Sequence, residues 1–482
     1  LDFHWIVKQM LVFCLFLIVL GCLPSTEAFQ IVSAQAVADI IDRSPLALQD
    51  EDNPKRHEDP PLGNDFLLAV TGQHYLLKGT FIHVACATDT TINVFAPYVN
   101  MTETYHIISG TQMIPLDDRL MNGENELFKK GILVTAEMPI SIYVIESYNH
   151  LKLNDMDGYF ALPISVLSTE YVIVTDTSAY QTMCQFVIAA LEEKTIVNVT
   201  FKTTGKIKIT DTEYSSGDVF SLDMSTVDTF QVQHVYDLTG PYIQSNKPIS
   251  VLSGCVCGNG PVGGTCQHEV EQIVPVSSLG QEYITVPLFP ATSYRYRIIA
   301  PFNNTIASIQ GQTYAIESGT FLERWDTEPI YIRASKPVML IEYGQCNYEQ
   351  CQNGSDPSMI TIPAISTFSV NITFGLQRNL TGNDIQYYLH VTIKTDVANK
   401  LMLDHRRLNQ EGSYTAKTDS LEHYTILVTN ITSGYHELYH PDTSVRYGAI
   451  LYGTGLYSSI GYPLGYNTEP SKPSVRFVPT GI

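Results

Sequence analysis

Apolar and polar residues alternate almost everywhere after Gly63. FIHVACATDTTINVFAP, EYVIVTD, TIVNVTFKTTGKIKIT, QEYITVPL, RYRIIAP and HVTIKTDV are period-two or continuously β-branched runs, separated by Gly, Asn, Asp and Pro clusters. No long stretch carries a clean helical period, so the pattern predicts an all-β protein.

Two phrases recur in the same order. The first is a β run, a polar turn, a proline and another β run: GILVTAEMPISIYVIESY, GPYIQSNKPISVLSGC and EPIYIRASKPVMLIEYGQC. Its prolines, Pro139, Pro248 and Pro337, step by 109 and then 89 residues. The second phrase, FALPISVLSTEYVIVT, IVPVSSLGQEYITVPL and ITIPAISTFSVNITF, carries Pro163, Pro275 and Pro363, which step by 112 and 88. Two anchors moving together define a unit of about 90–110 residues. A weaker fourth copy ends in GYHELYHPDTSVRYGAILYGTG. A unit of that size suits a β-sandwich with its own core, so a tandem array of about four β-sandwich-like repeats is expected. The alternative is a large β-propeller with two blades per unit. The expected boundaries are 62–152, 153–260, 261–352 and 353–466, with a tail at 467–482.

The N-terminal region differs. Residues 10–23, MLVFCLFLIVLGCL, form a 14-residue apolar run behind Lys8, too short for a comfortable membrane span. With Thr26 and Ala28 at a cleavage site, residues 1–28 read as a secretory signal peptide. Leu1 marks the sequence as a piece of a longer chain or Met10 as the start, and an anchor beyond the C-terminus stays open. Residues 29–61 read as a short helix followed by an acidic, Pro-rich linker containing the dibasic Lys55-Arg56.

Composition then narrows the function. The chain has 482 residues, with 28 Lys and Arg against 49 Asp and Glu and a net charge of −21. Nucleic acid and anionic membranes both demand clustered positive charge, so neither is an expected partner. Outside the signal seven cysteines remain, and export would oxidise most of them. The local candidate pairs are Cys257 with Cys266 and Cys346 with Cys351. Cys86 and Cys184 form the remaining distant pair, and Cys255 is left over as a free or intermolecular thiol that could also replace Cys257. Seven N-glycosylation sequons fall at Asn100, Asn198, Asn303, Asn353, Asn371, Asn379 and Asn430.

The segment SNKPISVLSGCVCGNGPVGGTCQHEVEQIVPVSSLGQEYITVPL resembles the signature of the IgGFc-binding protein N-terminal domain family. The matching residues are Ser245 to Pro248, Ser253-Gly254, Cys257, Cys266, His268, Glu271-Gln272, Pro275, and Gly280 before Glu282-Tyr283. DGYFALP and the closing YGTGLYSSIGYPLG are similar too. Gln267, where the family has an acid, and the extra Cys255 depart from the pattern. The resemblance implies a secreted, mucus- or surface-associated binding protein and no catalysis. Pro248, His268, Glu271, Gln272 and Pro275 are carried over as structural motif residues. Antibody Fc binding belongs to one member and is not carried over.

No G-x-S-x-G, Walker loop or G-x-G-x-x-G is present. His268-Glu269 supplies half of a zincin pattern, with Gln272 where the second histidine belongs, so no metal cofactor is expected. Asn154-Asp155-Met156-Asp157-Gly158 offers a weak Ca²⁺ candidate through Asp155 and Asp157, against an ordinary Asp-Gly turn. Tyr294, Tyr296, Tyr343, Tyr348, Tyr387, Tyr388, Tyr452, Tyr457, Tyr462 and Tyr466 read mainly as half-buried strand residues. The resulting expectation is a secreted, glycosylated, non-catalytic binding or adhesion protein with protein or glycan partners at a mucosal surface, with a disulfide-linked oligomer open through Cys255. A structural mucus or matrix component is the alternative.

Overall fold

The computed structural model describes residues 62–72, 77–123, 125–148, 156–260, 266–344, 357–376, 385–408, 412–417, 423–455 and 458–467. All lie in one compact unit, Glu58–Ile482. The signal segment, the predicted helix and linker, Cys346, Cys351, Asn353, Asn379, Asp155, Tyr348 and Tyr457 lie outside the described residues. Every regular element described is a β-strand or a short 3-10 turn.

The recurrent proline phrase is a long strand shared by two sheets. Its three copies are Ile132–Tyr148, Tyr242–Gly258 and Ile330–Gly344. In the first, the N-terminal half pairs with Gly63–Leu68 and Thr90–Ala96, and the C-terminal half with Leu77–Cys86 and Met156–Phe160. The second and third copies repeat this plan. A strand that changes sheet needs a corner, and bulges supply one. Here Gly63 faces Ile140 and Asp65 faces Thr135, so Ala136–Pro139 stand opposite Asn64 alone. Ser245–Pro248 stand opposite Thr169, and Ala334–Pro337 opposite Gln281. Proline ends each bulge, where its missing N–H costs no ladder bond.

In the second and third copies a tyrosine braces the corner. The Tyr171 hydroxyl receives the Ser168 N–H at 3.0 Å and donates to the Ile249 carbonyl at 2.6 Å. Tyr283 receives the Gly280 N–H at 3.1 Å and donates to the Val338 carbonyl. The prolines of the second phrase introduce 3-10 turns at Ile164–Val166, Val276–Ser278 and Ile365–Thr367. The fourth copy is weak because its long strand is broken: Gly434–Tyr439 and Tyr447–Gly455 lie in separate sheets.

In the second copy, Val197 and Val199 pack in one core with Phe186, Ile188 and Val251, across the long strand that joins both halves of the sheet. The chain is all-β, built of several curled antiparallel sheets, consistent with β-sandwich-like repeats. The same core takes in Ile299, Met339, Ile341 and Tyr343 of the third copy, so neighbouring copies are fused through apolar surface.

The strand ending each copy turns toward a common centre. Met156–Phe160, Gln267–Gln272, Ser358–Thr361 and Ser458–Pro463 pack in sequence around a closed ring. The first and fourth copies also meet at an outer seam, where Ser141 Oγ donates to the Thr373 carbonyl at 3.0 Å. His83 lies there against Gly375, 3.0 Å from where a β-carbon on that glycine would stand.

Candidate functional site

The strand Gln267–Gln272 holds the polar residues of the family-like motif, and all six of its residues are buried. Burying amides, carboxyls and an imidazole is tolerable only if each finds a partner. Most of the partners come from other copies of the repeat, while both carboxyl oxygens of Glu269 are buried with no hydrogen-bond partner among the described residues. Gln267 Nε2 donates to the Met156 and Ser459 carbonyls at 2.6 and 3.0 Å. Gln272 Oε1 accepts from the Leu162 N–H at 2.7 Å, and its Nε2 donates to Ser250 Oγ at 2.8 Å. Glu271 Oε1 accepts from the Thr361 N–H at 2.9 Å. Asp157 Oδ2 accepts from the Val270 N–H at 3.0 Å and Oδ1 from the Gly461 N–H at 3.4 Å. Ser459 Oγ donates to the Pro357 carbonyl at 2.5 Å, which closes the ring.

Asp157-Gly158 is therefore not a surface turn, and the Ca²⁺ reading of Asp157 is corrected. The pair lies inside a strand, because a β-carbon on Gly158 would stand 2.5 Å from the Val144 carbonyl oxygen and glycine alone permits that approach. Burial pushes the carboxyls of Asp157, Glu269 and Glu271 well above the ordinary range. Among the described residues no group of three His, Cys, Asp or Glu side chains is arranged to hold a metal ion.

His268 Nε2 lies 2.9 Å from Glu146 Oε2, and Thr71 Oγ1 donates to the same oxygen at 2.7 Å. Hydroxyl, imidazole and carboxylate thus meet, but not as a relay. Both other groups converge on the carboxylate, no imidazole stands between it and the hydroxyl, and all three are sealed from solvent. The cluster ties the segment before Gly72 to the strand of His268. Gly72 is further gripped by Gln231 Oε1 on its N–H at 2.7 Å and by Gln185 Nε2 on its carbonyl at 2.6 Å.

The cysteine framework differs from the expected one. Cys184 is bonded to Cys255, and Cys257 to Cys266. The Cys86–Cys184 pairing and the unpaired Cys255 are both overturned. Cys184 and Cys255 are directly opposed in adjacent strands, whereas Cys86 belongs to the first repeat and is buried with a free thiol. The route to an oligomer through Cys255 goes with them. Trypsin mapping without reductant should yield a Cys184–Cys255 cross-link, with Cys86 alkylated only after denaturation; a Cys86–Cys184 peptide would refute this framework.

The second and third copies meet through buried ions. Arg295 pairs with Asp176 and lies over the Tyr343 ring at 4.2 Å. Arg297 reaches Asp237 at 2.8 Å, Glu323 at 2.7 Å and the Thr175 carbonyl at 2.8 Å. The strand end at Cys257–Gly260 packs on this network: the Ala179 N–H donates to the Cys257 carbonyl at 2.8 Å and the Gly260 N–H to Asp176 Oδ2 at 3.1 Å. Tyr180, Tyr236 and Trp325 stand exposed around it. None of these ions was anticipated. The only trace in the sequence is Arg295 and Arg297 alternating with aromatic residues inside an otherwise apolar strand.

The flagged tyrosines that are described are more deeply buried than half. Tyr294, Tyr296, Tyr343 and Tyr452 are fully enclosed, and Tyr143 stacks on Tyr462 at 5.0 Å. Pro275 is buried and Pro248 half-buried. Asn100, Asn303 and Asn430 are exposed, whereas Asn198 and Asn371 are half-buried.

Residues 157–453 match the sequence pattern of the family described as IgGFc binding protein, which is more than half of the chain. The chain belongs to that family. The human IgGFc-binding protein is 24% identical over 256 residues, spanning 51% of this chain and 4% of the human protein. The chain therefore matches a small part of that relative's length. A viral chemokine binding protein, R17 from a rodent gammaherpesvirus, aligns over 66% of this chain and 90% of its own at 9% identity. Its TM-score of 0.15 is too low to bear on the fold. The family is named for binding, and the matched region contains the entire buried hub strand. Among the described residues no helix is long and apolar enough to cross a membrane.

Proposed function

We propose that this chain is a secreted, non-catalytic recognition module that binds protein or glycosylated partners in an extracellular, mucosal setting. The observation that carries the reading is membership of a binding-protein family across residues 157–453. The structure supports it in two ways. The polar residues that could be mistaken for catalytic machinery are spent on holding the repeats together. Two disulfides brace the surface around Tyr180, Tyr236 and Trp325, exposed aromatics of the type enriched at protein contacts. Secretion is supported by the disulfides and by the apolar N-terminal run.

The test is surface plasmon resonance of the purified chain against immobilised immunoglobulin Fc, mucin glycoproteins and their deglycosylated forms. Saturable binding to one class is expected. Uniform absence of binding from folded protein would sink the reading and favour a structural matrix role.

A further inference from the structure

The three proline bulges are equivalent in position but not in filling. Each opposes four residues to one, which takes backbone groups out of ladder register and opens a notch beside the next repeat's 3-10 turn. In the first, Asn64 Nδ2 crosses the notch to the Ala136 carbonyl at 2.9 Å. In the second, Ser245 Oγ lies 3.4 Å from the Thr169 carbonyl and 2.6 Å from that of Lys247. In the third, Ala334 stands where Ser245 would, and among the described residues no side-chain hydrogen bond crosses the notch. Gln281, in the place of Asn64, is exposed. The result is an open cavity of about 480 Å³ bounded by Gln281, Glu282, Arg333, Ser335 and Ser366, with Pro337 in its lining. That volume is in the range of small-ligand sites.

We infer that this notch is a binding site for a neutral hexose unit of a glycan. The inference rests on the recognition reading above and gives it a site. The polar set supplies an amide, a carboxylate, a guanidinium and two hydroxyls within one small cavity, the donor and acceptor mixture that adjacent sugar hydroxyls require. Arg333 and Glu282 are only loosely joined, at 3.8 Å, with side chains 60% and 45% exposed, so both can turn to a ligand. The Tyr331 hydroxyl donates to Glu282 and holds one of its oxygens in place. Ser335 Oγ accepts the Ile306 N–H at 2.9 Å, which leaves its own hydrogen to donate. Pro337, Leu279 and Ala334 provide apolar surface for the C–H face of a sugar ring.

Two other ligand classes fit less well. An acidic ligand meets Glu282 and a chain of net charge −21. An extended peptide needs a continuous row of ladder partners, and the bulge interrupts that row.

Saturation-transfer NMR on the full chain, with the methyl glycosides of galactose, mannose and N-acetylglucosamine as probes, tests the inference. Transfer to at least one glycoside is expected, falling at least fivefold in Gln281→Ala and in Arg333→Ala. Both residues are exposed, so the variants should melt with the wild type. The double variant Gln281→Asn, Ala334→Ser copies the bridging side chains of the other notches and should also silence the signal. No transfer to wild-type protein, or transfer unchanged in these variants, overturns the site. If protein partners still bind while every glycoside is silent, the notch proposal falls and the recognition reading stands; if both are lost, both fall.

Discussion

Replacing Gly254 by alanine should abolish the soluble folded protein or lower its stability by about 3 kcal/mol or more. Gly254 lies in the second long strand opposite Val270, where the hub strand crosses closest. A β-carbon there would stand 1.8 Å from the Glu269 carbonyl oxygen and 2.6 Å from its carbon. The obstacle is backbone on both sides, so relief means separating two paired strands. Separation would in turn pull Gln267, Glu271 and Gln272 away from their partners Met156, Ser459, Thr361, Leu162 and Ser250, leaving buried polar groups unpaired. Gly205→Ala is the control, because its nearest neighbour would stand at 3.7 Å, an ordinary contact. Urea denaturation of both variants reads the difference, and a Gly254→Ala protein as stable as the control would refute the packing described.

The second large effect is on pH. Glu342 is fully buried, and burial raises its carboxyl from 4.5 to about 8. The folded state therefore holds a proton that the unfolded chain gives up above about pH 4.5. Stability from this group is complete below that value and falls by about 1.4 kcal/mol per pH unit until the folded carboxyl also ionises. Asp157, Glu269 and Glu271 are displaced in the same direction. His83 and His390 oppose them on the acid side, since burial lowers both from 6.5 to about 4 and their cost grows as pH drops through that window. Stability should fall as pH rises above neutrality. Glu342→Gln keeps an acceptor for the Thr285 hydroxyl but has no proton to lose. It should match the wild type near pH 4.5 and exceed it at pH 8 by about 4 kcal/mol. Equal gaps at the two pH values would sink the account.

How far the chain could be read without coordinates depended on whether the signal was local. Strand periodicity is local, so the all-β class was evident. The two proline phrases mark a bulge and a 3-10 turn, short-range devices that the chain repeats almost verbatim. The cysteine pairing was not evident because it depends on register: Cys184 meets Cys255 only because residues 184–190 run antiparallel to 249–255. His268 and Glu146 are separated by 122 residues, and nothing around either names the other. Asp157-Gly158 misled for a physical reason. Glycine after aspartate serves a turn, but it equally serves a strand crossed closely by its neighbour, and only the neighbour's position decides. The open notch left one sequence trace, the substitution of alanine for serine at the head of the third SNKP-like phrase.

Closure of the ring also sets an order of events during synthesis. The seam contact between Ser141 and Thr373 joins residues 232 apart. At roughly 5–20 residues per second, a ribosome needs roughly 10–50 s to deliver the second partner after the first. During that interval the face around His83 and Ser141 has no cover, and the first repeat waits as an unfinished edge. Truncated or stalled chains would carry the same bare face permanently, which makes it the surface a quality-control chaperone would read to tell incomplete molecules from finished ones.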